Sequence, residues 1–125
     1  MKNKAFTVCI FAGSRSGNDK LVEAEAKKFG RDLARFNIKV VFGGGGSGIM
    51  GAISQGVQEN SGDIIGIIPE FLIEKEETSQ ISSNLIITKS MHERKNMMYE
   101  KSSAFVIMPG GLGTLEEASE ILTWK

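Results

Sequence analysis

Apolar residues along the chain gather in short continuous runs, separated by longer stretches of mixed character. Five such runs, each with at most one polar or charged residue, cover residues 5–12, 38–42, 63–68, 85–88 and 104–108. A continuous apolar run of strand length is typical of a parallel strand that is buried on both faces. We therefore predict five strands at these positions.

The stretches between the runs carry helical periodicity or helix start signals. After the first run, apolar residues recur at spacings of four and three, at Val22, Ala26, Phe29, Leu33 and Phe36. Such a stripe predicts an amphipathic helix packed on a sheet. Further helices are expected over residues 49–59, 90–101 and 114–125, and the second of these starts at a Ser-x-x-Glu capping box.

Strand and helix patterns alternate along the chain with short connections between them. This alternation predicts an α/β fold, in which a doubly wound parallel sheet of about five strands lies between two layers of helices. The length of 125 residues suits a single domain over residues 1–125. Ligands of such folds bind at the carboxyl ends of the strands, so the loops after the first, second, fourth and fifth strands are candidate site loops.

Composition excludes several classes of protein. Lys plus Arg and Asp plus Glu both total 15, so no positive surplus is available for binding a nucleic-acid backbone. The apolar runs are too short to cross a membrane, and the N-terminus lacks the apolar core of a signal peptide. The single cysteine, Cys9, lies in the first apolar run and cannot form an intramolecular disulfide. We expect a cytoplasmic protein in which Cys9 is a small buried hydrophobe.

The strongest candidate for a ligand site is the glycine-rich loop PGGLGT at residues 109–114, which follows the fifth strand and opens the last helix. Glycines allow several backbone N–H groups to point at one spot, and the helix N-terminus adds positive partial charge. Both features favour a phosphate group. The alternative is an ordinary strand-to-helix turn. Three glycines within four positions after a strand favour the phosphate site over this alternative.

Glu117 allows two interpretations. With Thr114 it forms a Thr-x-x-Glu capping box, which would stabilise the last helix by roughly 1 kcal/mol. Alternatively, its carboxylate faces the same cleft as the glycine-rich loop. The residues alone favour neither interpretation, and the neighbouring Glu116 is a competing carboxylate.

Two adjacent cations, Arg94 and Lys95, stand early in the helix over residues 90–101. Cations oppose the helix dipole there, so their position suggests a partner anion such as Glu117 or a ligand phosphate. The alternative is a solvated pair on the helix surface. The residues favour a functional role for Arg94 and leave Lys95 open. His92 is the only histidine, and no cluster with metal-ligand spacing predicts a metal site.

A second glycine pattern, Gly43-x-Gly45-x-x-Gly48, matches the dinucleotide-binding fingerprint and lies between a strand and a helix. Glu70 follows the next strand, roughly where an acidic residue would bind ribose. The pattern belongs to the second strand–helix unit rather than the first. It therefore indicates a nucleotide ligand in general more than NAD.

Four segments of the chain are similar to segments of one known family. They are FGGGGSGIMG at residues 42–51, IGIIP at 65–69, MHERK at 91–95 and PGGLGTLEE at 109–117. The chain thereby resembles the Lonely Guy family over nearly its whole length. Members of this family are cytokinin riboside 5′-monophosphate phosphoribohydrolases, which are often labelled lysine decarboxylases.

The resemblance implies a Rossmann-like nucleotide-binding fold, usually dimeric, that uses no cofactor. The implied reaction hydrolyses the N-glycosidic bond of AMP or an N6-substituted AMP to a free base and ribose 5-phosphate, and it is not lysine decarboxylation. Arg94 and Glu117 would be the catalytic pair. The residues that would hold the nucleotide are Gly110, Gly111, Gly113, Thr114, Ser14, Gly45 and Lys95.

The chain departs from the family pattern at Arg15, at Ser103 and at its end. Family members continue beyond the position of Lys125, so we expect that the family's C-terminal segment is missing and that the chain self-associates, as a homodimer. Two alternatives remain at this point. One is a non-catalytic nucleotide-binding module of the same fold, and the other is a fragment of an NAD-binding oxidoreductase.

Overall fold

The computed structural model describes residues 6–11, 20–44, 48–73 and 84–107. In chain order its elements are β1 (Thr7–Phe11), α1 (Lys20–Arg35), β2 (Lys39–Phe42), α2 (Gly48–Glu59), β3 (Ile64–Pro69), a 3-10 turn (Glu70–Leu72), β4 (Leu85–Thr88), α3 (Met91–Lys101) and β5 (Ala104–Ile107). The five predicted strands and the first three predicted helices are confirmed. The helix predicted over residues 114–125 lies outside the described residues.

The strands form one parallel sheet in the order β4-β3-β2-β1-β5. From β1 the chain proceeds outward to β4, and it then returns across the sheet through α3 to place β5 on the other side of β1. The direction of winding therefore reverses between β1 and β5. This is the predicted doubly wound α/β fold.

Each face of the sheet carries its own apolar core, because successive residues of a strand point to opposite faces. α1 and α2 cover the first face, where they bury Val8, Ile10, Ala26, Leu33, Val40, Phe42, Met50, Ile53, Val57 and Ile64. α3 covers the second face, where the buried residues are Cys9, Phe11, Val41, Ile67 and Met98. The two cores give the three-layer arrangement, and Cys9 is fully buried as expected.

The two helices on the first face contact each other through glycines. A Cβ on Gly30 of α1 would overlap the carbonyl oxygen of Ile53, and a Cβ on Gly56 of α2 would overlap the carbonyl oxygen of Lys27. Backbone therefore lies against backbone at both points. α1 and α2 form one closely packed layer that supports the strands leading to the candidate site.

Two details of the predicted pattern are wrong. Val22 and Phe36 were expected on the buried stripe of α1, but their side chains are 43% and 77% exposed. Val22 lies in the first turn of α1, and Phe36 follows the last residue of the helix, so both fall outside the part that covers the sheet. The strand predicted over residues 63–68 also stops one residue too early, because Pro69 is the last residue of β3 and is in register with Thr88.

Candidate functional site

The strand order places the candidate site at the carboxyl edge of the sheet, next to β1. In open α/β sheets a ligand crevice forms where the direction of winding reverses, outside the carboxyl ends of the strands. Here that point lies between β1 and β5, whose last residues, Phe11 and Ile107, are register partners. In the chain, residues 12–19 follow the first of these strands and residues 108–125 follow the second.

Most of the predicted site residues belong to segments that the structure does not describe. They are Ser14, Gly45, Gly110, Gly111, Gly113, Thr114 and Glu117. Their roles, and the choice between a capping and a catalytic Glu117, remain predictions. Arg94 and Lys95 are described, and so is Gly43 of the dinucleotide-like pattern.

The start of α3 is fixed by side chains on both sides of its first residue. Ser90 Oγ accepts a hydrogen bond from the backbone N–H of Glu93 at 3.1 Å, which is the expected N-cap contact. The Glu93 carboxylate accepts from the N–H of Lys89 at 2.7 Å, one residue earlier than in an ideal capping box. Thr88 Oγ1 donates to the Ser90 carbonyl at 3.1 Å. These bonds set the position of the whole first turn and hence of Arg94.

Arg94 is buried and its guanidinium reaches back to the end of β2. The residue is 6% exposed. Its Nη2 donates to the carbonyl oxygen of Gly43 at 3.0 Å, and its Nη1 lies 3.6 Å from Met91 Sδ. The interpretation of Arg94 as a solvated surface cation is therefore wrong. The contact joins residues 51 positions apart and holds a positive charge at the carboxyl edge of the sheet.

Lys95 is buried to the same extent as Arg94, at 6% exposure. The alternative of a solvated pair is thus wrong for both cations. His92 and Glu93, which precede them, are exposed. Two buried positive charges in the first turns of a helix lie where the helix dipole disfavours them. This arrangement favours an anion at the same edge.

Gly43 and Gly44, which follow β2, are required for different reasons. A Cβ on Gly43 would overlap Arg94 Nη2 and lie 3.2 Å from Cζ, so the guanidinium fills the space that a side chain would need. Gly44 has a φ of +92°, a conformation that side chains disfavour. The dinucleotide-like pattern marked Gly43 as a ligand-binding position and left Gly44 unspecified. It carried no signal for the contact with Arg94, which depends on how α3 crosses the sheet.

A separate depression of about 410 Å³ lies at the opposite edge of the sheet. It is lined by the amino ends of β2, β3 and β4 and the residues just before them, including Lys39, Asp63 and Asn84. Ligands of parallel sheets bind at the carboxyl ends. This depression is therefore not the candidate site.

The described helices include none that is long and apolar enough to cross a bilayer. Within residues 6–11, 20–44, 48–73 and 84–107, no three His, Cys, Asp or Glu side chains lie close enough together to bind a metal ion.

Known proteins resemble this chain in both sequence and fold. A family model described as "Possible lysine decarboxylase" matches residues 50–125. The cytokinin riboside 5′-monophosphate phosphoribohydrolase LOG5 of Arabidopsis thaliana is 40% identical over 99% of this chain and 54% of the relative. A probable enzyme of the same name from Oryza sativa subsp. japonica, LOGL9, is 41% identical over 94% of this chain and 52% of the relative. The chain belongs to the Lonely Guy family.

This chain of the Lonely Guy family spans about half the length of the curated relatives it matches. Among solved structures, the molybdenum cofactor carrier protein from Chlamydomonas reinhardtii is similar with a TM-score of 0.77 and 22% identity, over 98% of this chain and 73% of that one. At this identity the likeness shows the fold alone. It agrees with the Rossmann-like arrangement of the five strands.

Proposed function

We propose that the protein hydrolyses the N-glycosidic bond of AMP or an N6-substituted AMP, releasing a free base and ribose 5-phosphate. The observation that carries this proposal is the burial of Arg94 at the carboxyl edge of the sheet, with its guanidinium bonded to Gly43. The curated relatives support the choice of reaction, because they are named for it.

The reaction needs a group that stabilises the charge developing on the ribose and a group that binds the phosphate. Breaking the bond between ribose and base builds positive charge on the ribose, as in glycoside hydrolysis. In our proposal the Glu117 carboxylate stabilises that charge and orients or deprotonates the attacking water. Arg94 fixes this carboxylate and contacts the sugar phosphate. These two residues form the catalytic pair.

The nucleotide phosphate would bind beside the catalytic pair. We expect the glycine-rich loop at residues 109–114 to supply backbone N–H groups and the helix predicted after it to add its N-terminal end, and both favour an anion. Lys95, which follows Arg94 in the chain and is also buried, adds a second positive charge in this proposal. Ser14 and Gly45 line the same site in this proposal. The adjacent carboxyl ends of β1 and β5 support this grouping, since the segments with Ser14 and with the glycine-rich loop both start there.

Lysine decarboxylation and NAD-dependent oxidation are less well supported. The decarboxylase description belongs to the family model, whereas the curated relatives carry the phosphoribohydrolase name. An NAD site at the Gly43 pattern would need the pyrophosphate to approach the glycine backbone closely. The space beside Gly43 is instead filled by the Arg94 guanidinium, and β2 lies one strand away from the point where the winding reverses.

The roles of the two acidic candidates can be separated with a pair of variants. Glu117→Gln keeps the shape of the side chain but removes its charge, so we expect kcat with AMP to fall by about 100-fold or more. AMP affinity, measured by calorimetry, should stay within about threefold of wild type. Glu116→Gln is the matched control and should retain turnover. Full activity of Glu117→Gln would contradict the assignment.

We also infer that the protein is cytoplasmic, binds no nucleic acid or membrane, and acts as a homodimer in which residues 1–125 of each copy form a single Rossmann-like domain. The single, buried Cys9 supports a cytoplasmic location, and the balanced charge supports the absence of nucleic-acid binding. The dimer is supported by the family resemblance. Sedimentation velocity over a range of protein concentrations tests the dimer, and a monomer at all concentrations would contradict it.

A further inference from the structure

We propose that Gly43 is a positioning residue for Arg94: the end of β2 supplies both the hydrogen-bond acceptor and the empty space that hold the guanidinium in place. The proposal rests on the proposed function, because it assumes that Arg94 acts on the nucleotide. The underlying contact between Gly43 and Arg94 can be tested without any substrate.

The geometry at Gly43 involves two separate features. The first is the carbonyl oxygen, which accepts from Nη2 at 3.0 Å. The second is the missing side chain, because an ideal Cβ would overlap Nη2 and lie 3.2 Å from Cζ and 3.8 Å from Nε. The Nη2 end of the guanidinium thus occupies the volume that the side chain of any other residue at position 43 would fill. Any amino acid at position 43 would provide the carbonyl acceptor, but only glycine leaves space for the guanidinium.

Neighbouring glycines are explained by other contacts. A Cβ on Gly44 would meet Ile68 and Leu85 at an ordinary 3.4 Å, so the need for glycine there comes from the φ of +92°. A Cβ on Gly66 of β3 would lie 3.0 Å from the Gly44 Cα, so Gly66 makes room for the neighbouring backbone. Of these three glycines, Gly43 is the one whose missing side chain is required by Arg94.

A methyl group at position 43 would therefore displace the guanidinium rather than the sheet. Arg94 is anchored at its other end, because the Ser90 cap fixes the first turn of α3. The side chain must leave its rotamer or lose the bond to the Gly43 carbonyl. A misplacement of about 1 Å of a catalytic group can lower turnover by about 100-fold.

The first experiment compares Gly43→Ala with Gly62→Ala. A Cβ on Gly62 would lie 2.6 Å from Ala34 Cβ, so this control also perturbs packing, but at the opposite edge of the sheet, just before β3. With AMP as substrate, we expect kcat/KM to fall about 100-fold for Gly43→Ala and to stay within about threefold of wild type for Gly62→Ala. Wild-type turnover of Gly43→Ala would overturn the proposal.

The second experiment asks whether Gly43 acts through Arg94. Gly43→Ala is combined with Arg94→Lys, whose head is shorter and lacks the fork that the methyl would meet. If Gly43 positions Arg94, the further loss of kcat/KM caused by Ala at position 43 should shrink to less than about threefold in this background. An equal loss in both backgrounds would show that Gly43 acts independently of Arg94.

A thermal-unfolding cycle tests the contact without substrate. Gly43→Ala should lower the melting temperature of the wild type, and most of this drop should disappear in the Arg94→Ala background. The same drop in both backgrounds would overturn the proposal. If the wild type hydrolyses no nucleotide but the cycle shows coupling, the proposed function fails while the contact stands. If the wild type is active but the cycle shows no coupling, the proposed function stands and the role of Gly43 is overturned.

Discussion

Replacing Gly30 by Ala tests how closely α1 and α2 are packed. The added Cβ would overlap the carbonyl oxygen of Ile53 and lie 3.0 Å from its carbonyl carbon and 3.1 Å from the backbone nitrogen of Val57. A carbon atom normally stays about 3.3 Å or more from a carbonyl oxygen. All three atoms belong to the backbone of α2, so no side-chain rotation relieves the contact, and the helices must separate.

Two opposing contributions set the size of the effect. Ala favours a helix interior over Gly by about 1 kcal/mol. Overpacking costs about 1–3 kcal/mol, and we take the upper end because only backbone stands in the way. The net prediction is a loss of about 2 kcal/mol in the free energy of unfolding, or a melting temperature lower by roughly 8 °C for a chain of this size.

Urea unfolding followed by far-UV circular dichroism measures this change. Ala24→Gly, at an exposed position of the same helix, is the control for helix propensity and should destabilise by about 1 kcal/mol. Gly56→Ala should act like Gly30→Ala, and the double variant should lose less than the sum, because one separation of the helices relieves both contacts. A Gly30→Ala variant that is more stable than wild type by about 1 kcal/mol would show that the methyl fits between α1 and α2.

Three further predictions concern the residues around the candidate site. Met98→Ala removes a fully buried side chain beneath α3 and should cost about 2–5 kcal/mol in urea unfolding, whereas a loss below 1 kcal/mol would contradict its place in the core. Ser90→Ala removes the N-cap of α3 and should cost about 1 kcal/mol, with unchanged stability as the contrary result. Gly44→Ala should cost about 1–2 kcal/mol through its positive φ alone, and a much larger loss, also measured in urea, would mean that the methyl does not fit.

Local patterns in the sequence predicted the elements of the fold well. Apolar runs marked the strands, and the Ser90–Glu93 spacing marked the start of α3, because these signals depend on neighbouring residues. The exposed Val22 and Phe36 show the limit of a periodic stripe. Helical spacing tells which residues share a face, but not how much of that face the sheet covers.

Contacts between distant residues could not be predicted from local patterns. The strand order β4-β3-β2-β1-β5 depends on where α3 crosses the sheet, which no local signal encodes. The pairing of Arg94 with Gly43 follows from that crossing. The sequence did mark both residues as functional, but for different reasons: Arg94 by its position in a helix start, and Gly43 by a glycine fingerprint.

We propose that this protein cleaves a nucleoside monophosphate into a base and ribose 5-phosphate. The most direct measurement incubates the purified protein with AMP and, separately, with isopentenyladenosine monophosphate, and quantifies both products by liquid chromatography and mass spectrometry. We expect free base and ribose 5-phosphate in equal amounts from at least one nucleotide. Nucleotide that binds in calorimetry but yields neither product would contradict it and would favour a binding module of the same fold.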